Sequence, residues 1–355
     1  MKIYKIPLFF LIACFAVVCL SWLPNSSPLF AQSPGENLSV TEPLYNQVKR
    51  YSVTIPANGD AADIFYPVAS PSSLDTYPIG LLLPGFNVHK YYYDIFARQV
   101  ASYGFIVVVP NHLIYEKGKS ELFAQVQQVT ETLAFMQDEN LNPNSPIMNQ
   151  VDAEKLVLLG HSHGGFIGLD AIRNVCESPW CVGNYRRPKE LLAGVFYGAD
   201  LWEDGEFLSI DNSIESRAIS ESGGRGIRNF FRENSNENSA PRSQGIPIAL
   251  IAGTRDSLIK AGNVKITYDK IEQPPKAYIK ISGANHYAIT NINNPPGSPK
   301  DRRIPTLGQP QSIEAIARWS ALFLRAYALN DADALDYIHI HGGDREAKIT
   351  VVSQR

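Results

Sequence analysis

Gly160-His161-Ser162-His163-Gly164 sets a hydroxyl between two imidazoles and brackets them with glycines. Spaced as G-x-S-x-G, after the apolar run "KLVLL" and before a helical pattern, these residues can build a sharp turn that lifts a serine clear of a strand end. A Cβ at Gly160 or Gly164 would collide inside so tight a turn. The serine itself would take a strained backbone conformation. That chemistry is nucleophilic attack, so Ser162 is the candidate nucleophile.

A serine hydroxyl needs a base, and the chain offers 7 histidines. His161 and His163 sit too close along the turn to fold back onto Ser162. The backbone N–H of His163, one residue on, is placed to donate to an oxyanion. His89 and His112 follow strands and read as pocket residues; His339 and His341 fall near the C-terminus. His286, in "GANH" after the run "KAYIKIS", is the candidate base, because open α/β sheets build sites at the carboxyl ends of their strands. An acid must orient that imidazole. Asp256, directly after "IALIAGTR", is preferred, giving the order Ser162, Asp256, His286. Asp200, after "GVFYGA", is the competitor and otherwise a pocket residue. Phe86 follows Pro84-Gly85 at another strand end, and its N–H is the second candidate oxyanion donor. Each such donor is worth about 2.7–4 kcal/mol in the transition state. Tyr91, Tyr92, Tyr93 and Trp202 flank the same loops and would suit an apolar ester with a bulky group. No metal or cofactor is implied.

The elements that must position these residues follow from patterning. "YPIGLLLPGF", "FIVVVPN", "KLVLLGH", "LLAGVFYGA", "IPIALIAGT" and "KAYIKISGA" are apolar throughout, as parallel strands covered on both faces must be. Helical spacing joins Tyr93, Phe96, Ala97 and Val100; Leu122, Val126, Val129, Leu133 and Met136; and Ile313, Ile316, Phe323 and Tyr327. "VKRYSVTIP" and "ADIFYPV" predict an antiparallel edge hairpin. The fold class is therefore α/β with a mostly parallel sheet. Residues 201–245 and 291–310 interrupt the alternation. The first is read equally as a lid or a surface loop, the second as a solvated surface loop.

Composition narrows the rest. A hydrophobic fraction of 45% over 355 residues supplies a sizeable core, and a net charge of -3 gives no reason to expect nucleic acid. Lys2 and Lys5 precede "IPLFFLIACFAVVCLSWL", which describes an export signal over residues 1–31. "SPLFAQ" offers a cut after Ala31, although Leu29 is large for such a site. Left uncut, the segment is long enough to anchor the chain in a membrane. "LIAC" ending at Cys14 resembles a lipoprotein box, but the apolar run continues past it. Residues 32–46 read as a linker. Beyond the signal only Cys176 and Cys181 remain, which in an exported protein predicts one local disulfide rather than half a zinc site.

Together, "YPIGLLLPGFN", "VASYGFIVVVPNH", "GHSHGG", "AGTRDSL" and "GANHYA" resemble the α/β-hydrolase superfamily. Within it the chain is similar to the branch of dienelactone hydrolases, polyester (cutinase-like) hydrolases and chlorophyllases. The resemblance runs from about Tyr77 to Ile338. It implies a hydrolase domain over residues 47–340, with an insertion at about 201–245 and a C-terminal tail over 341–355. It also implies Ser162 as nucleophile, His286 as base, Asp256 as acid, and Phe86 and His163 as oxyanion donors. The expected activity is serine-esterase chemistry on a small-molecule or lipid-like ester. A chlorophyllase-like or lipid esterase at a membrane is the alternative within that class, and a non-catalytic binding protein the alternative outside it. Plant chlorophyllases typically read His-Gly-Phe and Gly-His-Ser-Arg-Gly-Gly where this chain has Pro84-Gly85-Phe86 and His163, so substrate does not carry over.

Overall fold

A computed structural model describes residues 38–68, 75–116, 119–177, 180–201 and 245–355. The signal segment, Trp202 and nearly all of the 201–245 insertion lie outside these residues.

The six apolar runs form strands β3 (Tyr77–Leu83), β4 (Ile106–Asn111), β7 (Val151–His161), β8 (Leu191–Tyr197), β9 (Ile248–Gly253) and β10 (Lys276–Ile281). They pair in parallel in the order β4-β3-β7-β8-β9-β10. At one edge the hairpin β1 (Val48–Ile55) and β2 (Asp60–Pro67) adds antiparallel through β2 to β4. At the other edge β11 (Ile349–Gln354) pairs antiparallel with β10. This is the α/β-hydrolase arrangement. Residues 349–354 of the expected tail over 341–355 are therefore part of the sheet, their alternation of buried and open positions matching an edge strand.

Successive strand residues point to opposite faces. Leu82, Val157 and Leu159 enter one core layer, with Phe96 and Val100 of α1 (Asp94–Ser102) and with Ile313, Ile316 and Phe323 of α5 (Gln309–Ala328). Leu81, Leu83, Leu156 and Leu158 enter the other, beneath α2 (Gln128–Leu141), α3 (His163–Arg173) and α4 (Ala261–Lys270). Each fully buried aliphatic side chain contributes about 1.5–3 kcal/mol.

Two expectations shift. The helix expected from Leu122 starts at Gln128, because Leu122 closes a small hairpin, β5 (Leu113–Glu116) and β6 (Lys119–Leu122). Residues 38–46, expected as the end of a linker, are strapped to the domain. The N–H groups of Leu44 and Tyr45 donate to the Ser102 carbonyl at 2.9 Å, and the Arg325 guanidinium donates to the Val40 carbonyl at 3.1 Å.

Strand order reverses at β3: the chain runs outward to β4, then returns to the other side at β7. Loops leaving β3 and β7 consequently diverge, opening a crevice at the carboxyl ends of the strands.

Candidate active site

Both loops at that crevice carry expected site residues. Ser162 follows β7 with φ 53° and ψ −123°, a conformation a side-chain-bearing residue adopts only under constraint. The constraint is visible. Its N–H donates to the Tyr197 carbonyl at 3.0 Å, and its own carbonyl accepts from Gly165 and Phe166 at 2.9 and 3.1 Å, opening α3. A Cβ at Gly164 would overlap the Leu83 carbonyl of β3, so the elbow fits the neighbouring strand only as glycine. Ser162 stays partly open while its neighbours are buried.

His163 is the first residue of α3, where backbone N–H groups have no intrahelical partner. Its ring turns away from the serine, Nε2 donating to the Ala124 carbonyl at 3.1 Å, and burial pushes its pKa down to about 4. Across the crevice the Gly85 carbonyl accepts from Val88 N–H at 3.0 Å. The planar trans peptide then turns the Phe86 N–H the opposite way. Among the described residues neither the Phe86 N–H nor the His163 N–H has a hydrogen-bond partner.

Two strand ends further along, Asp256 and His286 meet. His286 Nδ1 lies 2.8 Å from Asp256 Oδ2, and both residues are buried. The other carboxylate oxygen of Asp256 accepts from the N–H groups of Leu258 and Ile259 at 2.9 and 2.8 Å. Burial alone would pull the His286 pKa down, but the carboxylates of Asp256, Asp301 and Asp200 outweigh it and hold the imidazole above its usual value. Burial likewise raises Asp256, opposed by its histidine. Asp200 is buried nearby without touching the imidazole: its carboxylate meets Asn263 Nδ2 at 3.5 Å, and burial raises its pKa to about 6.

Other expected pocket residues are placed elsewhere. His112 Nδ1 lies 2.8 Å from Asp60, which also accepts from Gln128, so that imidazole belongs to a structural pair. His89 is exposed and caps the 3-10 turn Lys90–Tyr93. Cys176 and Cys181 form a disulfide.

Several residues of the site had no clear sequence signal. Asp301, in the stretch expected to be a solvated loop, is buried; its Oδ2 accepts from the His286 N–H at 2.8 Å and its Oδ1 from the Ser257 hydroxyl. Through the Asp301 carboxylate, residues 291–310 therefore clamp the loops of Asp256 and His286 together, a correction that a loop rich in Asn, Pro and Gly hides because such a composition reads as solvated even where one side chain is buried. An aromatic wall also emerges. Phe123 stacks on Trp180 at 4.7 Å and 10°, with Phe86 at 4.9 Å and His163 at 4.3 Å from Phe123. Trp180 stands between Cys176 and Cys181, five positions apart and joined by the disulfide, where no helical or strand period could have placed it.

Set against known proteins, residues 45–172 match the model of the chlorophyllase family. That part of the chain is chlorophyllase-like. Chlorophyllase-2 of Arabidopsis thaliana is 28% identical over 98 residues, 28% of this chain and 30% of the relative. Chlorophyllase-1 of the same plant is 29% identical over 100 residues, 28% of this chain and 29% of the relative. The chain thus matches less than a third of the length of either curated relative. The chlorophyllase-like stretch holds Phe86, Ser162 and His163 and stops short of Asp256 and His286, whose pairing rests on geometry alone.

Proposed function

We propose that the chain is an exported serine hydrolase that cleaves carboxylic esters through an acyl-enzyme. The observation that carries this reading is the buried Asp256–His286 pair at the same carboxyl ends of the strands as the strained Ser162. With Nδ1 committed to Asp256, the His286 Nε2 is the nitrogen left to take the Ser162 proton. Ser162 Oγ then attacks the ester carbonyl, and the N–H groups of Phe86 and His163 receive the oxyanion. Collapse of the intermediate expels the alcohol, which takes the proton back from His286. Water, activated by the same imidazole, next releases the acid and frees Ser162. Asp256 keeps the imidazole in one tautomer and stabilises its charged form.

The chlorophyllase match and the aromatic wall favour one second reading: an ester with a bulky apolar part, met at a membrane. Export is supported by the N-terminal pattern of Lys2, Lys5 and the apolar run, and by a disulfide of the kind oxidising compartments keep.

The test is hydrolysis of p-nitrophenyl esters from acetyl to palmitoyl by the protein and by Ser162→Ala, with fluorophosphonate labelling of Ser162. Turnover should fall in the variant on the order of 10⁶-fold in kcat, and the preferred chain length separates a small-ester enzyme from a lipid esterase. No turnover of any ester and no label on Ser162 would leave a binding scaffold instead. The mass of the exported protein distinguishes a cut after Ala31 from an intact anchor.

A further inference from the structure

Under the two crevice loops runs a string of buried polar groups that the reaction above leaves unexplained. The Gly85 N–H donates to Tyr93 Oη at 2.9 Å. Tyr93 Oη lies 2.9 Å from His161 Nδ1, and His161 Nε2 lies 2.9 Å from the main-chain oxygen of His286. Tyr93 and His161 are fully buried.

The direction of the string follows from its last member. A carbonyl oxygen only accepts, so His161 Nε2 carries the proton. Burial, reinforced by the neighbouring His286, pulls the His161 pKa well below its usual value, so the ring is neutral and Nδ1 is an acceptor. The Tyr93 hydroxyl therefore donates to Nδ1 while accepting from Gly85. Every member is satisfied in one arrangement only.

The string pairs two buried main-chain groups, the Gly85 N–H and the His286 carbonyl, which an apolar filler would leave unsatisfied. Its ends are what give it meaning. One end holds the residue just before the proposed oxyanion donor Phe86. The other holds the main chain of the proposed base. Contact is close at the first end: a Cβ on Gly85 would stand 2.9 Å from His161 Nδ1, so the turn rests directly on the imidazole. At the second end the rings of His161 and His286 are 4.8 Å apart, and Asp301 holds the His286 N–H from the other side.

We propose that Tyr93 and His161 are positioning residues, a strut that fixes the Gly85–Phe86 turn and the His286 main chain relative to each other. Oxyanion donor and base then keep one spacing through both halves of the reaction. The proposal rests on the reading in which Phe86 and His286 act on an ester.

Its test compares Tyr93→Phe, His161→Asn and His161→Gln. Active sites are counted by exhaustive fluorophosphonate labelling, and kcat/KM per labelled site is measured on p-nitrophenyl and ethyl esters of one acid. p-Nitrophenolate leaves unprotonated, whereas an ethyl ester needs a proton from His286. Tyr93→Phe releases the oxyanion end and should lower kcat/KM about tenfold or more on both esters, as misplacement of reacting groups does. His161→Asn keeps an acceptor near Nδ1 but falls short of the His286 carbonyl, so it should lose several-fold more on the ethyl ester. His161→Gln can reach that carbonyl and should restore the ratio between the two esters. A purely structural role would lower the number of labelled sites and leave kcat/KM per site unchanged, which overturns the strut alone. Should Tyr93→Phe fail to fold, equal ester ratios in His161→Asn and His161→Gln overturn it. A wild-type protein that takes no label at Ser162 overturns the strut and the esterase reading together.

Discussion

Asp256 and Asp200 both stand buried just past a strand end, and their partners separate them: one meets the His286 imidazole, the other an asparagine amide. Asp256→Asn should therefore cost about 10⁴ in kcat, since an amide no longer holds the required tautomer. Asp200→Asn should cost only a few-fold. It should also move the pH profile. The groups facing His286 are the carboxylates of Asp256, Asp301 and Asp200 and the neutral ring of His161. Because the carboxylates raise its pKa, His286 protonates as pH falls earlier than a free imidazole would, and kcat/KM should drop with a midpoint above about 6.5. Removing the Asp200 charge lowers that midpoint. A large kcat loss from Asp200→Asn with little from Asp256→Asn would reverse the roles. In the sequence, order and spacing after strands made Ser162, Asp256 and His286 readable as candidates, and the structure pairs Asp256 with His286. The burial of Asp301 and the partners of the Tyr93 hydroxyl were not legible, because an aspartate in a polar loop reads as solvated and an apolar helical spacing shows that a tyrosine is packed but not which main-chain group its hydroxyl meets.

At the scale of elements, the parallel strands were legible because burial on both faces leaves uninterrupted apolar runs. Half-covered elements were harder. The polar alternation of β11 reads as a tail until β10 pairs with it, and the β5–β6 hairpin borrows residues whose spacing mimics a helix. The disulfide loop is the element with the plainest prediction. Cys176 and Cys181 close a short loop whose Trp180 carbonyl accepts from Val126 N–H at 3.1 Å and whose indole stacks on Phe123. Replacing both cysteines with serine should lower stability by about 2 kcal/mol, the loop-closure value for so few residues. It should also raise KM for esters with a bulky group, while acetate ester kinetics stay level. Denaturant titration and a chain-length series read the two effects separately. An unchanged KM across the series would detach the aromatic wall from substrate.

At the scale of the molecule, the proposed nucleophile and the proposed acid and base come from opposite sides of the 201–245 insertion. β8 precedes it and β9 follows it, yet the two pair in parallel from Gly194 opposite Ile248 to Tyr197 opposite Ile251. Behind that seam, Phe96 and Val100 from the earlier half share one core layer with Ile316, Trp319 and Phe323 from the later half. Backbone continuity through the insertion is thus separate from the cohesion of the sheet. Two polypeptides, one ending and the other beginning within residues 210–240, should reassociate when co-expressed and regain ester hydrolysis, while each alone stays inert. Co-purification through a tag on one piece, with fluorophosphonate labelling of Ser162 in the complex, reads the outcome; pieces that never pair would show that the seam needs its covalent tether. Should the pieces pair, the molecule would divide into a fragment bearing the proposed nucleophile and one bearing the proposed base, a reporter of whatever brings two fused partners together.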